Sequence, residues 1–193
     1  MMKIRIIGPR DKGVDTSDGI VIITTSISKN WSKGLSPFFL GPCKLYDGYT
    51  AKCVENAYQY CKVYKQHTDM DGNPTAGYWK WALSGWANNW AQRYPMGKGA
   101  KPEYSLWLGE HLGYLDARKK IYVPLYSKAV RQSNAYKQLA ALYQQNDDVL
   151  YLWDFDGYDN EALGMSLIDV LNDPSRTMGH AFILARMLEK GIV

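Results

Sequence analysis

The chain has 193 residues, of which 46% are hydrophobic and 22% charged, a composition typical of a soluble globular protein. Its apolar runs fall short of the roughly 20 residues that a membrane span requires, and the apolar patch after Lys3 is too short for a secretory signal. We therefore expect a cytoplasmic protein with no membrane partner. The net charge of +4 permits a phosphate-bearing ligand or a nucleic acid without requiring either.

The cysteines Cys43, Cys53 and Cys61 are odd in number and include no CxxC pair. This spacing argues against a disulfide framework and against a zinc site, so we expect reduced structural thiols. The aromatic content is unusual, with 15 Tyr and 7 Trp but 4 Phe. Tyr and Trp combine a flat apolar ring with a polar tip, which suits base stacking as well as a hydrogen-bonded core.

Strand signals dominate the start of the chain. The segments 3–7 and 19–26 are rich in β-branched residues and predict two strands. Short strands are expected on either side of the Asp47-Gly48 turn signal. Val54 then begins a helix that we predict to end near His67.

Helical patterns dominate the rest. The apolar residues at helical spacing that predict one buried stripe are Trp79, Leu83, Trp86 and Trp90. Residues 114–145 predict a helix with a break or a new first turn at Pro124. The segment 149–153 predicts a strand that leads into an acidic loop over 154–160. Two helices, around 163–171 and 177–189, complete the chain.

These elements predict an α+β fold, mostly helical, with a small N-terminal β-sheet. No internal repeat or linker divides the chain, so we expect one domain over residues 1–193.

The helix that begins at Val54 carries a polar ridge. Glu55, Gln59 and Lys62 are spaced at i, i+4 and i+7, which places them in a row on one helical face. The apolar stripe beside this row consists of Val54, Ala57, Tyr58, Cys61 and Tyr64. Such a row is typical of the wall of a polar pocket, and equally of a solvated face on which a glutamate pairs with a lysine.

Two blocks of motifs resemble the NADAR (YbiA-like) N-glycosidase family. The first block reads Gly34-Leu35-Ser36-Pro37-Phe38-Phe39-x-x-Pro42, then Leu45-x-Asp47-Gly48, then Val54-Glu55-x3-Gln59-x2-Lys62. It is similar to the family pattern FSNF…P…DG…EHxxQAxKF. The second block reads Trp153-x2-Asp156-Gly157-x2-Asn160-x2-Leu163-Gly164. It resembles the family's tryptophan–glycine/aspartate loop and its N-x-LG helix entry.

The resemblance covers about a third of the chain and includes three departures. The loop near Asp156 is more acidic and less glycine-rich than the family pattern. Pro37 stands where the family has Asn, and residues 66–115 look like an insertion or a replaced segment. The resemblance implies a NADAR-like α+β fold and hydrolysis of an N-glycosidic bond. The implied substrate is a small ADP-ribosyl nucleotide or an ADP-ribosylated nucleobase or nucleoside, with no cofactor and no metal.

Cleavage of a C1′–N bond builds positive charge on the ribose, so a fixed carboxylate is the group that this chemistry needs. With the resemblance, we assign Glu55 as cation stabiliser or general base, and Lys62 with Gln59 as groups that orient Glu55 or contact the substrate. Asp156 is the second catalytic candidate. The remaining substrate-binding candidates are Phe38, Tyr58, Trp153, Asp154 and Asn160.

Other interpretations stay open. Asp154, Asp156 and Asp159 are also typical of charges near a helix N-terminus, and Trp153 of a core residue. His180 has the sequence context of a structural histidine. The same pocket also suits a non-catalytic binder of nucleotides. A third interpretation is a nucleic-acid-binding protein that uses Lys98, Lys101, Arg118, Lys119, Lys120, Lys128 and Arg131. The oligomeric state is not indicated.

Overall fold

The computed structural model describes residues 2–190, which contain both helices and small sheets. The α+β class is therefore confirmed, while the NADAR-like fold stays a prediction. The chain divides into two compact units. We call residues 1–37 with 126–193 the terminal unit, and residues 38–125 the central unit.

The strands are β1 (Lys3–Ile7), β2 (Gly19–Ile23), β3 (Cys43–Lys44), β4 (Thr50–Ala51), β5 (Lys62–Val63), β6 (Tyr104–Trp107), β7 (Glu110–Leu112) and β8 (Val149–Trp153). The α-helices are α1 (Val54–Gln59), α2 (Ala76–Ala87), α3 (Tyr114–Ala117), α4 (Val123–Arg131), α5 (Asn134–Gln145), α6 (Leu167–Asn172) and α7 (His180–Lys190). Among residues 2–190, no helix has the length and apolar character needed to cross a membrane.

The terminal unit is built on a three-stranded parallel sheet with the order β1-β8-β2. The central strand β8 reads Val-Leu-Tyr-Leu-Trp, and its three middle residues are fully buried. Such a continuous apolar run is typical of a strand flanked by two parallel neighbours. Helix α7 packs on β1 and β8, and most of its side chains are buried. The predicted strands over β1 and β8 are confirmed, and β2 ends three residues earlier than predicted.

The central unit contains two antiparallel sheets. Asp47 and Gly48 have φ angles of 49° and 79°, so they form the tight turn between β3 and β4 that the sequence predicts. Strands β5, β6 and β7 form the second sheet, with Leu108 and Gly109 at its hairpin turn. Helix α2 and strands β6 and β7 all lie within residues 66–115, so the segment that departs from the family pattern is structured.

The predicted aromatic stripe over residues 79–90 is wrong in its details. Helix α2 ends at Ala87, and Trp90 lies beyond it with 78% of its surface exposed. Leu83 is also exposed. The buried face of α2 is instead formed by Tyr78, Ala82, Gly85 and Trp86. The error arises because the spacing of the tryptophans fits a helical stripe, whereas α2 ends before it reaches Trp90.

Pro124 lies in the first turn of α4, one of the two roles that the sequence predicts for it, and the helical path over 114–145 is interrupted further along the chain. Arg118–Tyr122 is a π-helical segment that leads directly into α4, so Pro124 stays inside the helical path. A π-helical turn shifts the hydrogen-bond ladder, which accommodates a residue with no N–H. The division lies at Gln132 and Ser133, where Ser133 caps α5 by accepting a hydrogen bond from the Tyr136 amide (3.0 Å).

The last two helices begin later than predicted. Helix α6 starts at Leu167 because Ser166 and Asp169 form a capping box in front of it. Helix α7 starts at His180, after the loop that follows α6. The three cysteines are buried and reduced, as expected for structural thiols.

Candidate functional site

Helix α1 is short, and its ends are fixed by neighbouring backbone. The Cys53 Sγ accepts a hydrogen bond from the Asn56 amide (3.5 Å) and caps the helix. The helix ends at Gln59 and not near His67, because Lys62 and Val63 leave it to pair with β6. Lys62 is therefore a strand residue, and the helical register that was used to place it beside Gln59 is wrong.

The predicted polar row nevertheless forms as a chain of hydrogen bonds. Lys62 Nζ donates to Gln59 Oε1 at 2.6 Å, and Gln59 Nε2 donates to Glu55 Oε1 at 2.9 Å. The ammonium needs an acceptor and the carboxylate needs a donor, so the orientation of the Gln59 amide is fixed by its two neighbours. The sharp turn after Gln59 brings Lys62 back to the side chain that a longer helix would also have reached.

Burial sets the electrostatics of this row. Glu55 keeps 6% of its surface exposed. Burial lowers the pKa of Lys62, and the neighbouring Cys61 and Glu55 groups oppose that effect. The Lys62 ammonium also lies 4.8 Å from the centre of the Tyr58 ring, within the range of a cation–π contact.

Tyr58 connects this row to the π-helical segment. Its ring packs on Tyr122 with centroids 4.9 Å apart. Burial raises the pKa of Tyr58; the nearby negative charge of Glu55 adds to the rise, and the Arg118 guanidinium opposes it. The Tyr58 hydroxyl therefore lies within the field of one carboxylate and one guanidinium.

Arg118 is one of the cations named for the nucleic-acid interpretation, but the structure buries it. Only 2% of its surface is exposed, and its guanidinium donates to the Tyr114 hydroxyl at 2.8 Å. The run Arg118-Lys119-Lys120 is typical of a solvated surface. The signal that Arg118 is buried is its helical spacing, which places it on the same face as the buried Ala117 and Ile121.

Asn56 is a second residue whose role was missed. It is fully buried, and its amide nitrogen donates to the Asn88 and Trp90 carbonyls at 3.0 Å each. Its Oδ1 accepts from the Gln92 amide at 2.8 Å. One side chain of α1 therefore holds the irregular segment that follows α2, next to the residue that carries the candidate carboxylate.

Phe38 also belongs to the central unit and is half-buried. Two residues later, the Leu40 carbonyl accepts a hydrogen bond from the Val54 amide (2.8 Å), which ties this segment to the start of α1. Its proposed stacking role stays a prediction.

The other four candidates, Trp153, Asp154, Asp156 and Asn160, belong to the terminal unit. Asp154 is buried, and both of its oxygens accept hydrogen bonds from the protein. Its Oδ1 accepts from the Asp156 amide (3.2 Å), and its Oδ2 accepts from the Ala181 amide (3.0 Å) and lies 3.0 Å from His180 Nδ1. The carboxylate thus holds its own loop against the start of α7.

His180 completes this cluster as the structural histidine that its sequence context indicates. Its Nε2 lies 2.8 Å from the Thr24 carbonyl oxygen, which only accepts, so Nε2 carries a proton. Its Nδ1 faces the Asp154 carboxyl group. A neutral imidazole has one N–H, which the contact with Thr24 already uses. A hydrogen bond between Nδ1 and Asp154 therefore needs a second proton, carried either by the ring or by the carboxyl group.

Asn160 and Trp153 also serve local structure. The Asn160 Nδ2 donates to the Met165 carbonyl at 2.6 Å and closes the loop between them. Trp153 is half-buried with its ring 5.1 Å from Phe155. Asp156 is half-buried at the end of β8. Their proposed contacts with a substrate stay predictions. Among residues 2–190, no group of three His, Cys, Asp or Glu side chains is placed to hold a metal ion.

Residues 14–184 match the model of a family of unknown function, DUF6939. The chain belongs to this family. No curated protein and no solved structure matches it. The DUF6939 match includes nearly all of both units, so both belong to the sequence that its members share.

Proposed function

We propose that this DUF6939 protein is an N-glycoside hydrolase that cleaves the C1′–N bond of an ADP-ribosyl or ADP-ribosylated nucleobase substrate. The observation that carries the proposal is the buried Glu55 carboxylate at the end of a hydrogen-bonded chain that leads through Gln59 to Lys62. The motif resemblance to the NADAR family supports the same reaction.

The reaction forms a bond between water oxygen and C1′ and breaks the bond between C1′ and the base nitrogen. One proton leaves the attacking water, and one proton reaches the departing nitrogen. Positive charge develops on the ribose in between, and a fixed carboxylate in a site of low dielectric stabilises it more strongly than water does. Glu55 supplies that charge and accepts the proton of the water.

Gln59 and Lys62 hold the carboxylate in place. Because Gln59 already donates to one oxygen of Glu55, the side chain has a preferred orientation before a substrate arrives. Lys62 polarises the Gln59 amide through the 2.6 Å bond to its oxygen. Tyr58 and Tyr122 provide paired aromatic rings, the type of surface on which a base or ribose packs.

The deciding test is Glu55→Gln, which keeps the shape of the side chain and removes its charge. We expect the release of ADP-ribose from ADP-ribosylated nucleosides, measured by liquid chromatography and mass spectrometry, to fall by about two to four orders of magnitude. Glu110→Gln is the matched control, since Glu110 is exposed and pairs with Lys120. Equal turnover in E55Q and in the unmodified protein would remove Glu55 from the mechanism.

The same assay separates an enzyme from a binder of nucleotides. A binder retains ADP-ribose in equilibrium dialysis but yields no product from any ADP-ribosylated nucleoside. A hydrolase yields product, and its E55Q variant retains the uncleaved substrate. Substrate retention with no product in the unmodified protein would favour the binder.

A further inference from the structure

Trp90 differs from the other six tryptophans of the chain in its exposure. The other six are buried or half-buried, whereas Trp90 keeps 78% of its surface exposed. Within residues 2–190, its indole makes no hydrogen bond and no ring contact. The structure therefore leaves both faces of a large aromatic ring in water, where a flat ligand that covers one face removes apolar surface from solvent.

The backbone of Trp90 is fixed although its ring is not packed. Its amide donates to Asn88 Oδ1 (2.9 Å), and its carbonyl accepts from Asn56 Nδ2 (3.0 Å). Asn56 also bonds the Asn88 carbonyl and the Gln92 amide, so all three hydrogen bonds of this fully buried side chain hold residues 88–92. The indole is therefore presented from a defined backbone position, and a ligand that covers it orders no backbone.

Asn56 also limits the distance between Trp90 and the candidate carboxylate. It follows Glu55 directly in α1, and both Glu55 and Trp90 belong to the central unit. The path from the Glu55 Cα through Asn56 and its 3.0 Å hydrogen bond to the Trp90 Cα is at most about 13 Å long. An extended ADP-ribosyl nucleobase is longer than this path. A substrate whose C1′ lies at Glu55 is therefore long enough to reach the indole.

We propose that Trp90 binds the substrate by stacking its indole on a flat heteroaromatic base. This inference rests on the proposed function, whose substrate has two groups of this chemistry: the base that departs from C1′ and the adenine of the ADP-ribosyl group. Stacking suits either group, since every base has a π-face. In this assignment Trp90 touches neither C1′ nor the attacking water, so it contributes to binding and not to bond cleavage.

The first test is Trp90→Ala. We expect the KM for an ADP-ribosylated nucleoside to rise by about 5- to 150-fold with little change in kcat, because stacking of one base contributes that much to binding. Trp90→Phe keeps a smaller ring and should give an intermediate KM. Met70→Ala is the matched control, since it removes another fully exposed apolar side chain of the central unit. Urea unfolding of W90A should match that of the unmodified protein, because the indole is not packed.

Tryptophan fluorescence identifies the base that is stacked. E55Q is titrated with free ADP-ribose and with an uncleaved ADP-ribosylated nucleoside, and the same titrations are repeated in E55Q with W90F. Quenching by free ADP-ribose that disappears in the double variant assigns the stacking to adenine. Quenching by the nucleoside alone, also lost in the double variant, assigns it to the departing base.

The outcomes separate this inference from the proposed reaction. A KM that is unchanged in W90A, or quenching of full size in the double variant, would overturn the stacking and leave the hydrolase standing. Retention of ADP-ribose in equilibrium dialysis that is lost in W90A, in a protein that forms no product, would support the stacking and contradict the hydrolase. A protein that retains neither ligand would overturn both.

Discussion

Gln59 connects the two charged residues of the candidate site, Lys62 and Glu55. Its amide lies between an ammonium and a carboxylate, so a change at either end alters how the other is held. The interposed amide relays polarity from the Lys62 ammonium to the Glu55 carboxylate. The pH dependence of Lys62 therefore reports on the state of the whole row.

Lys62 should give opposite pH slopes for activity and for stability. Burial lowers its pKa in the folded protein, so the ammonium is lost below the ordinary lysine value of about 10.4. Activity should fall as the pH rises through the lowered pKa, because Gln59 loses its donor. Across the same window the unfolded chain binds the extra proton, so the free energy of unfolding should rise with pH.

The measurements are a pH–rate profile and urea unfolding at several pH values. Lys62→Met removes the titrating group, so both slopes should disappear in this variant. Lys62→Arg stays charged and should shift the alkaline limb of activity upward. An alkaline limb that is identical in the unmodified protein and in K62R would show that another group controls it.

The pair formed by His180 and Asp154 provides a second test at the scale of single residues. His180→Gln should lower the free energy of unfolding by about 3 kcal/mol, because it leaves the buried Asp154 carboxylate with only its two backbone N–H donors. The matched variants are Asp154→Asn and the double substitution, whose cycle isolates the interaction between the two side chains. If the losses in unfolding free energy of the two single variants add in the double variant, the two side chains are not energetically coupled.

At the scale of elements, the strands of the terminal unit and the β3–β4 hairpin were predictable, whereas strands β5, β6 and β7 and the helix ends were not. The run Val149–Trp153 and the β-branched segment at β2 carry their own signal, as does the Asp47-Gly48 turn. Helix α1 stops at Gln59 because the next residues, in β5, pair with Tyr104 and Ser105 of β6, and no local sequence pattern encodes so distant a partner. The same distant pairing is why the Glu55 row formed although the helical register behind its prediction was wrong.

Helix α2 provides a test of packing against propensity. A Cβ at Gly85 would lie 1.9 Å from the Tyr60 ring, whereas one at Gly77 meets only the Thr75 hydroxyl at 3.4 Å. Gly85→Ala should therefore lower the free energy of unfolding by about 1–3 kcal/mol despite the better helix propensity of alanine. Gly77→Ala should raise it by up to about 1 kcal/mol. Urea titration of both variants checks the contrast, and a stabilised G85A would contradict this close approach.

At the scale of the whole molecule, the exposed basic residues also fit a nucleic-acid-binding protein. This interpretation must be distinguished from that of the proposed hydrolase. With Arg118 buried, the remaining exposed members of the basic set are Lys98, Lys101, Lys119, Lys120, Lys128 and Arg131. Lys120 is already paired with Glu110 at 2.6 Å, and the net charge of the chain is only +4. Such a distribution supplies few free cations for a phosphate backbone.

Salt dependence distinguishes the two interpretations, because each phosphate contact releases counterions while a small buried substrate releases few. We expect turnover of an ADP-ribosylated nucleoside to change by less than about threefold between 50 and 200 mM NaCl, whereas a nucleic-acid complex with six or more phosphate contacts would weaken by about a thousandfold. Fluorescence anisotropy with a labelled oligonucleotide provides the second arm. Tight oligonucleotide binding with a steep salt slope, lost when Lys98 and Lys101 are replaced by Gln, would move the function of this chain to nucleic acid.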